Sequence, residues 1–267
     1  MTSKRIGWVI VLAAAVSGTL GPWLVPHDPL VQNLPERLGG PSFGHPFGVD
    51  ELGRDVLARL VLGARVSLMV GLSVVTLSAT IGTAIGAVAG YAGGWVDELV
   101  SRLMDVLLAF PGILLAIALV SVLGPSLTNV VLALSLIGWV GYARVARAQV
   151  LQAREFEYVV AARAIGAATP RILIRHVLPA ALPALIVQAT LGMGGAILSE
   201  AALSFLGLGV QPPTPSWGAM LNYGRVHVLD APHLTVFPGL AIAIVVLGLN
   251  LLGDSLRDRL GGAEGSS

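Results

Sequence analysis

The sequence predicts an all-α, polytopic membrane protein with six transmembrane helices. Apolar residues make up 55% of the 267 and charged residues only 12%, with a mean hydropathy of +0.83; an ordinary soluble domain carries about 25% charged residues. The apolar residues gather into six windows near the ~20 residues that a helix needs to cross a bilayer. The 33 glycines have no three-residue period, which excludes collagen and suits close packing of membrane helices. There is no cysteine, so disulfides and thiolate chemistry are excluded, and a net charge of +1 leaves no electrostatic footprint for nucleic acid.

The first span, Ile6–Val25, follows Lys4 and Arg5 as a signal peptide would, but it runs into "GPWLVP" without a small-x-small cleavage site and reads as a retained helix. The connection that follows opens with "HDPLVQNLPERLGGPSFGHPFGVD", rich in proline and glycine and therefore irregular. Next, "ELGRDVLARLVLGARVSL" places Leu52, Val56, Leu57, Leu60 and Val61 on one side of a helix and Arg54, Asp55 and Arg59 on the other. That pattern fits an amphipathic helix on the outer surface, or equally a short helix packed on neighbouring loops. The remaining spans are Ser67–Tyr91, Leu103–Gly124, Leu127–Val145, Ala180–Leu208 and Val236–Leu252. "AFPG" at Ala109–Gly112 predicts a proline kink in the third. The chain thus reads as one domain in three parts: residues 1–65 (first span, connection and amphipathic helix), 66–255 (the main transmembrane body) and a C-terminal tail, 256–267.

Basic residues set the orientation. With the N-terminus in the cytoplasm, six spans return the C-terminus there, and 11 of the 16 basic residues fall inside, most of them between Arg144 and Arg175. Arg37, Arg54, Arg59, Arg65 and Arg225 fall outside, an asymmetry that satisfies the positive-inside rule.

The cytoplasmic loop, residues 146–179, has structure of its own. "QAREFEYVVAARAIG" alternates faces at helical spacing, and Gly166 can end that helix in a left-handed conformation. Thr169 then reads as an N-cap and Pro170 as the first residue of a second short helix ending near Leu178, with Arg171 and Arg175 one turn apart. Pro179 and Pro183 restrict the entry into the fifth span. Two short helices joined by a glycine bend make a stubby projection, which either acts on a partner or lies on its own bundle or on anionic lipid.

Within this loop "YVVAARAIGAATPRILIRHVLP" resembles the cytoplasmic "EAA" loop of bacterial ABC importer permeases, where an alanine pair precedes a glycine and Leu-Pro follows; here these are Ala161-Ala162, Gly166 and Leu178-Pro179. Val160 stands where the motif's glutamate would, as is common in the peptide-transport branch. "FGVDELGRDVLARLVLGARVSLMVG", "RLMDVLLAFPGILLAIAL" and "SEAALSFLGLGVQPPTPSWGAML" resemble the same branch, in the same order, over about four-fifths of the chain. The arrangement is similar to the C-type permease of oligopeptide, dipeptide and nickel importers.

The resemblance implies a type I ABC importer permease fold in the bacterial inner (cytoplasmic) membrane. It implies a heterodimer with a homologous B-type permease, two cytoplasmic ATPase subunits or one fused ATPase, and an extracytoplasmic substrate-binding protein that delivers peptide. A coupling helix is implied near Ala167–Arg175, and the residues implied in ATPase coupling are Ala161, Ala162, Arg163, Gly166, Ala167, Thr169, Pro170, Arg171, Arg175 and Pro179. ATP and Mg²⁺ are expected on the partners, with no cofactor on this chain: it carries no GxxxxGK[ST] and its one lysine is Lys4. Nickel-chelate or glutathione import remains open as cargo, and an ion-gradient-driven secondary transporter as another class.

Two carboxylates stand out inside the spans. Burying an Asp costs about 3 kcal/mol on insertion scales, so Glu200 should face the bundle interior or the pore, as a hydrogen-bond hub, a substrate-amine contact or a gate. Asp105 either joins a gate, caps the end of its span or pairs with Arg102. Gly192, Gly194 and Gly195 offer a packing face, and Trp217 and Tyr223 are expected at the membrane interface.

Overall fold

Helices and turns make up the computed structural model, which describes residues 2–261; the only β feature among them is an isolated bridge between Val49 and Asp55. Helix α1 spans Thr2–Leu24. The connection is irregular as expected, apart from one turn at Leu34–Glu36. Helix α2 then runs unbroken from Val56 to Ala92, 37 residues, or about 55 Å at 1.5 Å per residue. Asp55 caps it by accepting from the Ala58 N–H, and Gly93 and Gly94, both at positive φ, end it.

The segment expected as a separate amphipathic helix is the start of α2, and its charged side does not face water. Asp50, Arg54, Asp55 and Arg59 are all buried. The Asp50 carboxylate accepts from Arg54 Nε at 2.7 Å and lies 3.2 Å from Arg59 Nε, while Arg54 also donates to Glu51 at 3.0 Å. Opposite charges replace the water that the helical pattern suggested. Trp217 is buried against protein, donating from Nε1 to the Leu60 carbonyl at 3.0 Å across a contact that Gly63 leaves open.

Helices α3 (Gly94–Leu108) and α4 (Gly112–Leu123) meet at 84°. The expected kink is thus a full break. Pro111 lacks an N–H and disfavours helical backbone at the residue before it; Phe110 lies outside both helices, and Pro111 is the N-cap of α4. Helix α5 (Leu127–Ala153) is capped by Ser126, whose side chain accepts from the Asn129 N–H. The loop carries α6 (Glu157–Ala164) and α7 (Thr169–Ile172). A π-helical stretch, Leu173–Val177, joins α7 to α8 (Leu178–Phe205) without interruption. Hence the second loop helix does not stop at Leu178; the wider turn sits where Pro179 has no N–H to give the Arg175 carbonyl. Helix α9 (Trp217–Gly224) precedes α10 (His233–Gly261). Residues 256–261 of the expected tail, Arg257 and Arg259 among them, belong to α10; residues 262–267 lie outside the described residues.

The tightest packing joins α2 to α5. Gly82, Gly86 and Gly90 follow one another every four residues along α2, and a Cβ on them would lie 2.3 Å from the Trp139 carbonyl oxygen, 2.2 Å from that of Ala143 and 2.9 Å from that of Arg147. Small residues at that spacing let helix backbones approach as side chains would not. Arg147 reinforces the region with a two-pronged ion pair to Asp97 on α3. Among the described residues, four helical runs are long and apolar enough to cross a membrane: α2, α5, Thr169–Phe205 and α10. A fifth arises if α3 and α4 count as one broken span, and Arg5–Gly21 adds a shorter apolar helix.

Candidate coupling loop and polar path

The loop after α5 is held from beneath and bare on top. Val159 and Ala162 of α6, Ile172 of α7 and Val177 of the π stretch are buried against Ala87 of α2 and Val150 and Ala153 of α5. Arg163 places its guanidinium 5.6 Å from the centroid of the Tyr91 ring, and Arg154 donates to the Gly90 carbonyl at 3.2 Å. A displacement of the loop therefore bears directly on α2, α5 and α8.

Gly166 is the bend. Its φ is +82°, its N–H donates to Arg163 O at 3.0 Å, and the Ala167 N–H reaches back to Ala162 O at 3.1 Å. These bonds close the end of α6 as a glycine C-terminal motif requires. Thr169 is not the cap of α7: Ala168 takes that position without a side-chain bond, and Thr169 and Pro170 occupy the first two helical positions. The shift is harmless, because the N–H that Pro170 lacks is one that a first turn leaves unpaired in any case.

Ala161, Arg163, Gly166, Thr169, Pro170, Arg171, Arg175 and Pro179 are exposed, Ala167 is half-buried and Ala162 is an anchor. The same surface carries two large apolar groups not singled out in the sequence, Ile165 at 86% exposure and Ile174 at 69%. Their signal was available: apolar residues on the outer, arginine-bearing side of a short helical hairpin.

The two carboxylates part company. Glu200 is wholly buried within its own chain. Its Oε2 accepts from Ser67 of α2 at 3.0 Å and its Oε1 from Ser204 of α8 at 2.7 Å. Enclosed in this way, it ties α2 to α8 through two hydroxyls. Asp105 is exposed and accepts from Arg144 of α5 at 2.8 Å, while Arg102, its expected partner, pairs with Glu98. It ties α3 to α5 at the surface.

A cavity of about 280 Å³ opens among α2, α4, α5 and α8, walled mostly by apolar side chains such as Val74, Ile113 and Ile137, with the polar groups of Ser78, Tyr142, Gln188 and Ser199 set among them. Gly192 makes room for the Tyr142 hydroxyl, which would stand 2.5 Å from a Cβ there. That hydroxyl and Ser135 Oγ are buried without a hydrogen-bond partner. Of the glycine face read in the sequence, Gly192 and Gly195 both border this cavity, Gly195 with open space where a Cβ would stand, while Gly194 faces α10.

A bundle of long apolar helices that bears an exposed helical projection at one end is the architecture of a multi-pass membrane protein. Residues 82–262 match the family of binding-protein-dependent transport system inner membrane components, and the chain belongs to that family. It is 47% identical over 255 residues to the dipeptide transport system permease protein DppC of Alkalihalophilus pseudofirmus, covering 96% of this chain and 84% of that one. It is also 47% identical over 253 residues to the glutathione transport system permease protein GsiD of Escherichia coli, and to that of Shigella boydii, covering 94% of this chain and 84% of each. The chain is thus a transport subunit of an ABC-type permease family and not a catalytic enzyme.

Proposed function

We propose that this chain is one permease subunit of an ATP-driven importer that carries dipeptides or oligopeptides across the cytoplasmic membrane. Its partners are a homologous permease, two ATPase subunits or one fused ATPase, and an extracytoplasmic binding protein. ATP and Mg²⁺ belong to the ATPases. The observation that carries this reading is the loop between α5 and α8, anchored on three long helices through residues such as Ile172 and exposed at Ile165, Gly166, Ala168, Thr169, Pro170, Arg171, Ile174 and Arg175. Such a projection can take the closing motion of an ATPase and pass it into the bundle. Ala161, Gly166, Ala167, Thr169, Pro170, Arg171, Arg175 and Pro179 are its contact or hinge residues, Ala162 its anchor and Arg163 its tie to Tyr91.

Peptide as cargo is supported by the named relatives, since glutathione is itself a tripeptide, and by the uncharged donors and acceptors around Tyr142 and Gln188, which suit peptide amides. Glutathione import is the second reading, favoured by an identity of 47% to its transport permease, equal to that for the dipeptide permease. The expected topology completes the proposal: α1 is the sixth span and both termini are cytoplasmic. Reconstituting the chain with its partner subunits and assaying ATPase stimulation and uptake across dipeptides, oligopeptides, glutathione and chelated nickel tests the reading. Stimulation by peptides supports it; stimulation by chelated nickel alone, or uptake driven by an ion gradient without ATP, overturns it.

A further inference from the structure

The connection between α1 and α2 gathers three metal-binding side chains that the permease reading does not use. Asp55 caps α2 with one oxygen only, Oδ1, which accepts from the Ala58 N–H at 2.7 Å. Its other oxygen, Oδ2, points at two imidazoles: His45 Nδ1 lies 2.8 Å away and His27 Nδ1 lies 3.7 Å away. The second distance is too long for a hydrogen bond, so two ring nitrogens converge on one carboxylate oxygen while only one bonds to it. The three candidate ligand atoms lie within 4.8 Å of one another. A tetrahedral ion with bonds of 2.0–2.1 Å sets its ligands about 3.3 Å apart, which side-chain adjustments of less than about 1.5 Å would reach.

We propose that His27, His45 and Asp55 bind one divalent transition-metal ion of the Zn²⁺ type and that this ion staples the segment after α1 to the start of α2. Two imidazoles and a carboxylate suit such an ion better than Mg²⁺ or Ca²⁺, which prefer oxygen alone. The surrounding groups are already arranged for it. His45 Nε2 lies 3.3 Å from the Glu36 carboxylate, the outer partner that fixes a metal-bound imidazole with its proton on the far nitrogen. The backbone around His45 is held as well, its N–H donating to Ser42 Oγ at 3.1 Å and its carbonyl accepting from the Gly48 N–H at 2.8 Å. Close to His27, Arg59 donates to the Pro29 carbonyl at 3.3 Å. The His27 side chain is 40% exposed and that of Asp55 only 2%, so an ion has an entry path and room for a water as fourth ligand.

The test uses the detergent-purified complex carrying an affinity tag without histidine, dialysed against limiting Zn²⁺ and, in parallel, Co²⁺. Wild type should hold one more Zn²⁺ per copy of this chain than His27→Ala, and should show the visible absorption of tetrahedral Co²⁺ that the variant lacks. Glu36→Gln, which leaves all three ligands in place, should weaken binding about tenfold. Asp55→Asn keeps a good helix cap and should lose the ion; if it fails to assemble, His27→Ala and Glu36→Gln still decide. Equal Zn²⁺ content and identical Co²⁺ spectra in wild type and His27→Ala would overturn the site and reduce the trio to a hydrogen-bonded cluster.

Discussion

The Ser67 hydroxyl donates to Glu200 Oε2 at 3.0 Å, joining α2 to α8 across 133 positions of sequence. With Ser204 donating to the other oxygen at 2.7 Å, one buried carboxyl group satisfies two hydroxyls. Removing it strands both. Glu200→Leu should therefore cost about 1–3 kcal/mol for each hydroxyl left unpaired, while Glu200→Gln, still an acceptor, should cost less. Thermal unfolding of the purified complex checks the order, wild type above Gln above Leu. Glu200→Cys, in a chain without other cysteines, should resist a water-soluble thiol reagent. A Leu variant as stable as wild type removes the hub.

Gly166 separates two kinds of glycine requirement. Its φ of +82° is left-handed, yet nothing lies within 4 Å of where a Cβ would stand. The demand is conformational, not steric. Gly166→Val should strain the bend by about 1–2 kcal/mol and uncouple peptide stimulation from ATP hydrolysis. Gly166→Asn, which tolerates that conformation, should retain most of it. Equal stimulation in both variants would place the hinge elsewhere.

Gly86 shows the opposite requirement. It lies in a helix, where φ is ordinary, but a Cβ would stand 2.2 Å from the Ala143 carbonyl oxygen. Neither backbone can yield without separating α2 from α5. Gly86→Val should lower stability by about 3 kcal/mol or more, at or beyond the upper end for overpacked cores, whereas Gly195→Val, in open space, should not. Yields of folded, monodisperse chain and its melting temperature read the difference.

These three positions also mark where the sequence was legible. Hydropathy located α2, α5, α8 and α10 because bilayer thickness imposes a minimum apolar length. It does not report helix length, so α2 extends eleven residues before the window that opened at Ser67. Periodicity separated the charged side of Arg54, Asp55 and Arg59 from the apolar side, but it cannot distinguish a side facing water from one facing counter-charges such as Asp50. Pro111 was read as a kink because a lone proline in a span often bends it; the 84° break reflects its effect on Phe110 as well. The bend at Gly166 was legible because left-handed backbone has a residue signature. The Gly82–Gly86–Gly90 repeat carries an equally plain one, small residues every four positions along α2. What no pattern in one chain could supply was pairing at a distance: Trp217 with Leu60, Arg144 with Asp105, or His27 with His45.

Ile165 and Ile174 give the coupling proposal its sharpest test. Both lie on the exposed side of the loop, 86% and 69% accessible, while the buried residues of the same segment already hold it to α2 and α5. Large apolar groups left bare beside arginines are suited to insertion into a partner's pocket. Neither contributes to the anchoring cluster, so Ile165→Asp and Ile174→Asp should leave the melting temperature of the isolated chain unchanged. In the reconstituted complex each should weaken ATPase association by about 2 kcal/mol, roughly thirtyfold in affinity, with peptide-stimulated hydrolysis falling in step. Control substitutions at Leu229, 92% exposed but after α9 and far along the chain from the loop, should affect neither quantity. If the loop variants bind the ATPase as tightly as wild type, the projection docks through its arginines alone, and Arg171→Ala with Arg175→Ala should then produce the loss that the isoleucines did not.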